Sequence, residues 1–270
     1  MYVYLVSEVC EMNPSIGSEE AIHGRRFSEV HGGYFADPLV AGPLVDTVES
    51  AALGQRPNVI VDLGGGTGYL LTQMTSRLAG SNARLINIDC SGSQLAVSGG
   101  AGINSLALSV RDFKRCDIAG ANERVLFMMR SVLHYFAEED LLTLLAHLRE
   151  QALKDEIFVH QSASFEESDD AACINALYRR MRTGKWFTTV GDMEDRLKHA
   201  GWNVRVSFPA PTLHLASNDL AVRYGLNGHD LDCIRDAMKV EFGERPGLFE
   251  CSPAGFSARL HYRIYTCVAS

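Results

Sequence analysis

The stretch Asn58 to Leu63 is a β-branched run that ends at Gly64, the pattern of a strand buried on both faces, and Tyr69 to Leu78 then carries apolar residues at helical spacing. The same rhythm of strand, turn and helix recurs downstream. A second strand, Ala83 to Ile88, stops at Asp89 and leads into a helix-like stretch from Gly92; a weaker third, Ser105 to Val110, stops at Arg111-Asp112. Arg124 to Met129 reads as a fourth strand. Ala137 to Leu153 reads as an amphipathic helix with Glu138, Glu139 and Asp140 in its first turn, and Glu156 to His160 as a fifth strand. Glu167 to Arg182 is helical without a strand partner, Val190 to Ala200 is a helix closed by Gly201, and Trp202 to Phe208 is a sixth strand. A helical insertion over residues 217–242 precedes the last strand, His261 to Val268. Upstream, residues 18–52 read as helical material interrupted by Gly32-Gly33, with Pro43 in a first helical turn.

This alternation predicts a Rossmann-like α/β fold, a seven-stranded and mostly parallel sheet with helices on both faces. An N-terminal helical segment, residues 1–45, and helical insertions at residues 166–187 and 215–245 are expected to form a lid on a domain of residues 46–270. No internal repeat interrupts the pattern.

Composition narrows the function classes. With 46% hydrophobic and 21% charged residues among 270, the chain is neither low-complexity nor disordered. A formal charge of -8 gives no electrostatic footprint for phosphate backbones or anionic membranes, so nucleic acid and membrane are not expected partners. Seven scattered cysteines show neither a disulfide framework nor metal-ligand spacing, which predicts a reducing, cytoplasmic setting and no metal site. The apolar N-terminus lacks a basic leader and no apolar run reaches roughly 18 residues, so neither a signal peptide nor a membrane span is expected.

The sharpest chemical signal is Val61-Asp-Leu-Gly-Gly-Gly-Thr-Gly-Tyr-Leu70, with Gly64, Gly66 and Gly68 at alternate positions between a buried strand and a helix. Glycines there let the backbone approach a ligand and adopt unusual φ/ψ. A dinucleotide fingerprint needs a further glycine where Tyr69 stands, and no Gly-Lys-Ser/Thr follows to make a phosphate loop. The loop therefore suits a nucleotide-like ligand without a pyrophosphate. Asp89 ends the second strand 21 residues after Gly68, where an acid accepts from ribose hydroxyls in this topology.

Taken in order, Asp62-Leu-Gly64-Gly-Gly66-Thr-Gly68, Asp89-Cys-Ser-Gly-Ser-Gln-Leu95, Asp112-Phe113 and Arg130-Ser-Val-Leu-His-Tyr-Phe136 resemble the class I S-adenosylmethionine-dependent methyltransferases, over residues 45–205 and the last strand. The resemblance implies that Asp62 holds the amino group of S-adenosylmethionine, Gly64, Gly66 and Gly68 pack on its methionine and ribose portions, and Asp89 takes the ribose hydroxyls. It further implies that Cys90 lies on the adenine face, Asp112 accepts from the exocyclic amine, Phe113 gives an apolar contact or a backbone donor, and Arg130 contacts the cofactor. A strand-end aspartate is also a common turn or helix cap, so Asp62, Asp89 and Asp112 keep that alternative, as Arg130 keeps a structural one. The segment Ala152 to Ile157 lacks the Pro-Gly-Gly turn of many members, and no Asn/Asp-Pro-Pro-Tyr follows strand four. The first departure blurs the start of strand five and leaves the cofactor site untouched; the second speaks against the nucleic-acid and protein amide-nitrogen branches, and the segment Ser131-Val-Leu-His-Tyr135 resembles small-molecule members, which implies transfer of a methyl group to an oxygen, nitrogen or carbon with release of S-adenosylhomocysteine.

Such a transfer is an in-line displacement that mainly requires alignment and exclusion of water. His134, just past strand four, is the candidate general base for a hydroxyl acceptor, with packing as its alternative role. Tyr34, Tyr135, His160 and Trp186 are candidate contacts to a small-molecule acceptor, and each could equally be core of the lid. The run Arg179-Arg180-Met-Arg182-Thr-Gly-Lys185 reads as a solvated helix face that could otherwise meet an acidic acceptor. Two other classes stay open: a methyltransferase-fold protein that binds or scaffolds without catalysis, and an NAD-dependent oxidoreductase, which the missing third glycine disfavours. The acceptor, the methylated atom, a homodimer and the role of residues 1–20 are not fixed by the sequence.

Overall fold

Asp37 accepts a hydrogen bond from the Leu39 amide at 2.8 Å and caps helix α1 (Pro38–Gln55), whose first residue is a proline, where a missing N–H costs nothing. That start places Pro43 inside the helix, not in its first turn as expected. In the computed structural model, which describes residues 30–78, 80–98 and 102–270, α1 follows a 3-10 segment, Val30–Ala36, with His31, Gly32 and Gly33 in the left-handed region. Residues 1–29, most of the expected N-terminal helical segment, lie outside the described residues.

The β-branched run becomes β1 (Val59–Leu63), buried at every position. It is followed by α2 (Tyr69–Arg77), β2 (Arg84–Asp89), the single turn α3 (Gly92–Leu95), β3 (Ile103–Ala107), a second single turn α4 (Arg115–Ile118), and β4 (Val125–Arg130). Then come α5 (Glu138–Glu150), β5 (Ile157–Phe165), α6 (Ser168–Arg180), the two-residue β6 (Thr188–Thr189), and α7 (Val190–His199). The chain closes with β7 (Trp202–Ala216), α8 (Ser217–Tyr224), α9 (Gly228–Phe242), β8 (Phe249–Ser252) and β9 (Gly255–Ala269).

The central sheet has the order β3-β2-β1-β4-β5-β9-β7, with β6 pairing β5 and β8 pairing β9 at its margins. Strands β1 to β5 are mutually parallel, and β9 runs antiparallel to both β5 and β7. Strand order reverses between β1 and β4, and ligands of open α/β sheets bind outside the carboxyl ends of the strands at such a reversal. One face carries Ile60, Leu126 and Val159 beneath α1, α2, α6, α8 and α9. The other carries Val61, Phe127 and Phe158 beneath α5 and α7, with Trp202 donating its indole N–H to Leu145 O at 3.1 Å. Among the described residues no helix is long and apolar enough to cross a membrane.

Three strands run longer than their sequence signals. β5 continues past His160 to Phe165, and β9 starts at Gly255 rather than His261. β7 continues past Phe208 through Pro209 and Pro211 to Ala216, which is tolerated because it is the edge strand and carries a register shift around Pro211. β3 starts two and ends three residues earlier than expected, and β8 had no signal of its own.

Candidate functional site

Gly64, Gly66 and Gly68, at φ 71°, 56° and 72°, carry the chain from β1 into α2. The Gly64 amide donates to Ile88 O at 2.7 Å and the Gly66 amide to Asp89 Oδ2 at 2.8 Å, while Asp89 Oδ1 accepts from the Ser91 amide at 2.8 Å. Asn87, cross-strand partner of Asp62, donates to Gly66 O at 2.9 Å. The loop is thus sewn onto the end of β2. A Cβ at Gly64 would stand 2.6 Å from Val132 Cγ2, and one at Gly65 would stand 2.3 Å from Asn87 Oδ1 and 2.5 Å from Asp62 Oδ2. Gly64→Ala is accordingly expected to lose about 1–2 kcal/mol of stability from its left-handed backbone alone, read as a lower urea midpoint.

A polar stripe crosses the α1 face of the sheet at the carboxyl ends of its strands. Asp62 pairs with Asn87 on β2, Arg130 on β4 stands beside Gln161 on β5, and Tyr262 on β9 lies opposite Ala163 two residues further along β5. Asp62 is 0% exposed, and neither of its carboxylate oxygens has a hydrogen-bond partner among the described residues. The same holds for Asn87 Oδ1, Tyr69 Oη, Arg130 Nη1 and Gln161 Oε1. Buried polar groups are satisfied in folded proteins with few exceptions, so a concentration of them at a strand-order reversal marks a place built for a polar ligand. Burial pushes the Asp62 carboxyl up to about 7, Arg130 holds it partly down, and Asp89 adds to the rise. Burial also lowers the pKa of Arg130, countered by Tyr34 and Asp62. Arg130 Nη2 donates to Phe35 O, and its guanidinium lies 5.5 Å from the Phe35 ring and 5.8 Å from the Tyr69 ring. A carboxylate with two open oxygens beside a guanidinium with an open N–H matches the ammonium and carboxylate of an amino-acid moiety.

The structure brings several sequence candidates together and separates others. Asp62, Gly64, Gly66, Gly68, Asp89 and Arg130 converge on the loop, and Cys90 follows it in an exposed position. Tyr34 lies over the stripe, stacked on Tyr262 at 5.8 Å. Asp112 is exposed in a turn beyond β3. Phe113 does not follow a strand end: it is fully buried against His147 at 5.6 Å, and its amide donates to Ser109 O, so its side chain and N–H are both engaged in the fold. His160 lies within β5, not past its end, stacked between Phe158 and Tyr265 at 4.8 Å each and hydrogen-bonded to Ser162 at 2.9 Å. Burial pushes its imidazole down to about 3, which keeps it neutral. It faces the sheet side opposite the stripe.

His134, Tyr135 and Trp186 belong to a second cluster. His134 is buried between Tyr135 and Phe187 at 4.7 and 5.3 Å, its carbonyl accepts from the Trp186 amide at 3.1 Å, and Arg196 covers the Trp186 ring. Tyr135 Oη accepts from Arg223 Nη2 at 3.1 Å, and Lys185 Nζ sits 4.3 Å above the Tyr135 ring while donating to Tyr224 Oη at 3.1 Å. The basic run therefore divides: Arg179 and Arg182 are exposed, whereas Lys185 is buried. Sequence reasoning passed over Arg223, whose helix reads as an ordinary amphipathic one. It also missed Gln161 and Tyr262, whose signal was a polar residue inside a strand at a position alternating with apolar neighbours. Among the described residues no group of three His, Cys, Asp or Glu side chains is placed to hold a metal ion.

No family model and no curated protein sequence matches the chain. Solved structures do. A Bacillus halodurans C-125 protein described as a methyltransferase superposes with a TM-score of 0.64 at 12% identity, over 83% of this chain and 97% of that one. The Burkholderia thailandensis 1,6-didemethyltoxoflavin-N1-methyltransferase, solved with 1,6-didemethyltoxoflavin and S-adenosylhomocysteine bound, gives 0.52 at 16% identity over 97% and 93%. The [4+2]-cyclase SpnF gives 0.52 at 11% identity over 85% and 80%. With the strand order, the glycine loop and the strand-end acids in place, the chain has the fold of the class I S-adenosylmethionine-dependent methyltransferases.

Proposed function

We propose that this chain is an S-adenosylmethionine-dependent methyltransferase acting on a small molecule. The observation that carries the reading is the buried Asp62 carboxylate, with both oxygens open, beside the open N–H of Arg130 and directly under the glycine loop. When bound there, S-adenosylmethionine supplies a methyl group on a sulfonium, an electrophile that needs no further activation. Asp62 holds the amino group, Arg130 the carboxylate, Asp89 the ribose hydroxyls, and Gly64, Gly66 and Gly68 leave the backbone low enough for the ligand to lie against it. Cys90 and Asp112 border the adenine side. The segment carrying Tyr34 and Phe35 closes over the methionine end and excludes water.

His134 is the proposed proton acceptor for a hydroxyl or phenol, with Tyr135 and Trp186 as its neighbours at the acceptor. His160 is too deeply stacked to serve as a proton acceptor at neutral pH. The negative charge of the whole chain and the enclosed site favour a metabolite over a nucleic acid, in a cytoplasmic setting.

Titration calorimetry with S-adenosylmethionine and S-adenosylhomocysteine tests the cofactor directly. Micromolar binding is expected, lost in Asp89→Ala because that change removes the ribose acceptor and also the anchor of the Gly66 amide. No binding to the unaltered chain overturns the proposal. The likeness to a cyclase supports a second reading, in which the fold holds the cofactor without transferring its methyl group. Capture of S-adenosylmethionine with no S-adenosylhomocysteine formed on any acceptor selects that reading.

A further inference from the structure

Asp62 and Arg130 account for the charged end of the cofactor, but the stripe continues past them. Gln161 Oε1, Ser131 Oγ and Tyr262 Oη are all buried; Gln161 Oε1 has no hydrogen-bond partner among the described residues, and the Ser131 and Tyr262 hydroxyls interact with each other. The orientation of the Gln161 amide is fixed by its neighbour. Tyr34 Oη donates its one proton to Pro211 O at 2.6 Å, so it can only accept from Gln161, and the group facing it at 3.3 Å must be the NH2. The carbonyl oxygen is thereby left as an acceptor without a donor. Ser131 is held at φ 61°, a left-handed conformation unusual for a serine, with its amide donating to Gln161 O at 2.9 Å and its hydroxyl beside the Tyr262 phenol. Backbone strain of this kind at a ring of open polar atoms belongs to binding sites rather than to plain packing.

We infer that Gln161, Tyr262 and Ser131 form the recognition edge for the methyl acceptor, which is a planar molecule carrying an N–H beside a carbonyl oxygen, a lactam edge. The inference rests on the methyltransferase reading. Gln161 Oε1 takes the N–H, and of the paired Ser131 and Tyr262 hydroxyls one donates to the other and the second donates to the carbonyl. A carboxylate offers Gln161 Oε1 no donor, so it fits this edge less well than a lactam does, while the rings of Tyr34, Tyr262 and Phe35, packed against one another, border the edge with flat apolar surface. Access requires the segment Val30–Ala36 to lift, and its consecutive left-handed residues His31, Gly32 and Gly33 place a bend next to the rings that must move.

The chain is first saturated with S-adenosylhomocysteine, and 2-pyridone, N-methyl-2-pyridone and benzoate are then titrated by NMR. 2-Pyridone is expected to bind, with its affinity lowered about tenfold or more in Gln161→Leu and again in Tyr262→Phe, the loss typical of one buried hydrogen bond. N-Methyl-2-pyridone is expected to bind about tenfold more weakly than 2-pyridone and to be indifferent to Gln161→Leu. Should Gln161→Leu fail to fold, Tyr262→Phe, which deletes a single oxygen, carries the comparison. Binding of S-adenosylhomocysteine without binding of 2-pyridone overturns the inference and leaves the methyltransferase reading standing. So does equal affinity of 2-pyridone for all three proteins, or benzoate bound as tightly as 2-pyridone. Failure to bind S-adenosylhomocysteine at all overturns the methyltransferase reading, and the inference falls with it.

Discussion

Asp62→Asn is expected to weaken S-adenosylhomocysteine binding by at least about 30-fold while making the folded chain more stable, because removing one member of a buried charge pair costs roughly 2–5 kcal/mol of binding. The stability gain has a definite pH dependence. The Asp62 carboxyl rises from 3.8 to about 7 on folding. Between those two values the unfolded chain has released its proton and the folded chain has kept it, so the stability of the unaltered protein falls as pH rises from about 4 to 7 and stays low above that. Asparagine carries no such penalty. Its advantage should therefore be small at pH 4, grow through the window, and reach about 1–2 kcal/mol at pH 8, part of the full effect being returned because Arg130 loses a favourable neighbour. Urea unfolding at pH 4, 6 and 8 measures it. A variant less stable than the parent at pH 8 would show that Asp62 is already satisfied in the ligand-free fold. The same carboxyl must be ionised to hold an ammonium, so affinity of the unaltered protein should climb about tenfold per unit below pH 7 and level off above it.

That a carboxylate sits where it weakens the fold explains which parts of the site could be read from sequence. The glycine loop and Asp62, Asp89 and Arg130 stand at the ends of short buried parallel strands, which read as continuous apolar runs because both faces are covered. Strands β1, β2 and β4 fall within a residue or so of where Asn58 to Leu63, Ala83 to Ile88 and Arg124 to Met129 placed them. The antiparallel part behaves differently. β5, β7 and β9 are extended by pairing with one another, a non-local cause that local pattern does not carry, and Pro209 and Pro211 read as a stop although an edge strand admits them. Ending β5 at His160 had a double effect: it set a core histidine on the rim, and it left Gln161 outside the strand. Phe113 was misplaced in the same way, because β3 ends three residues earlier, at Ala107. Lys185 and Arg223 were hidden for another reason, since a long basic side chain on an amphipathic helix gives no sign of whether tertiary contacts will fold it inward.

A second buried carboxylate gives the opposite expectation and fixes the meaning of the first. Glu156, at the amino end of β5, is as fully buried as Asp62 at 0% exposed. Its oxygens accept from Arg115 Nη1 and Nη2, from the Val125 amide and from the Leu153 amide, all at 2.8 Å. Arg115 in turn donates to Gln151 O at 2.9 Å and to Glu123 O, so one ion pair fastens the loops before β4 and β5 to each other. Glu156→Ala strands a guanidinium and two backbone N–H groups together, and a loss of about 3–5 kcal/mol is expected. For a chain of this size that is a fall in melting temperature of roughly 6–15 °C. Glu156→Gln, which keeps one acceptor oxygen but turns an NH2 toward donors, should fall between. Neither change touches the carboxyl ends of the strands, so whatever remains folded should bind S-adenosylhomocysteine as before, and a variant that keeps its stability but loses that binding would contradict the assignment. Two carboxylates with the same burial thus differ in whether the fold supplies their donors: Glu156 has four and holds the sheet together, whereas Asp62 has none among the described residues, and the proposed function assigns it the ammonium of a ligand as its partner.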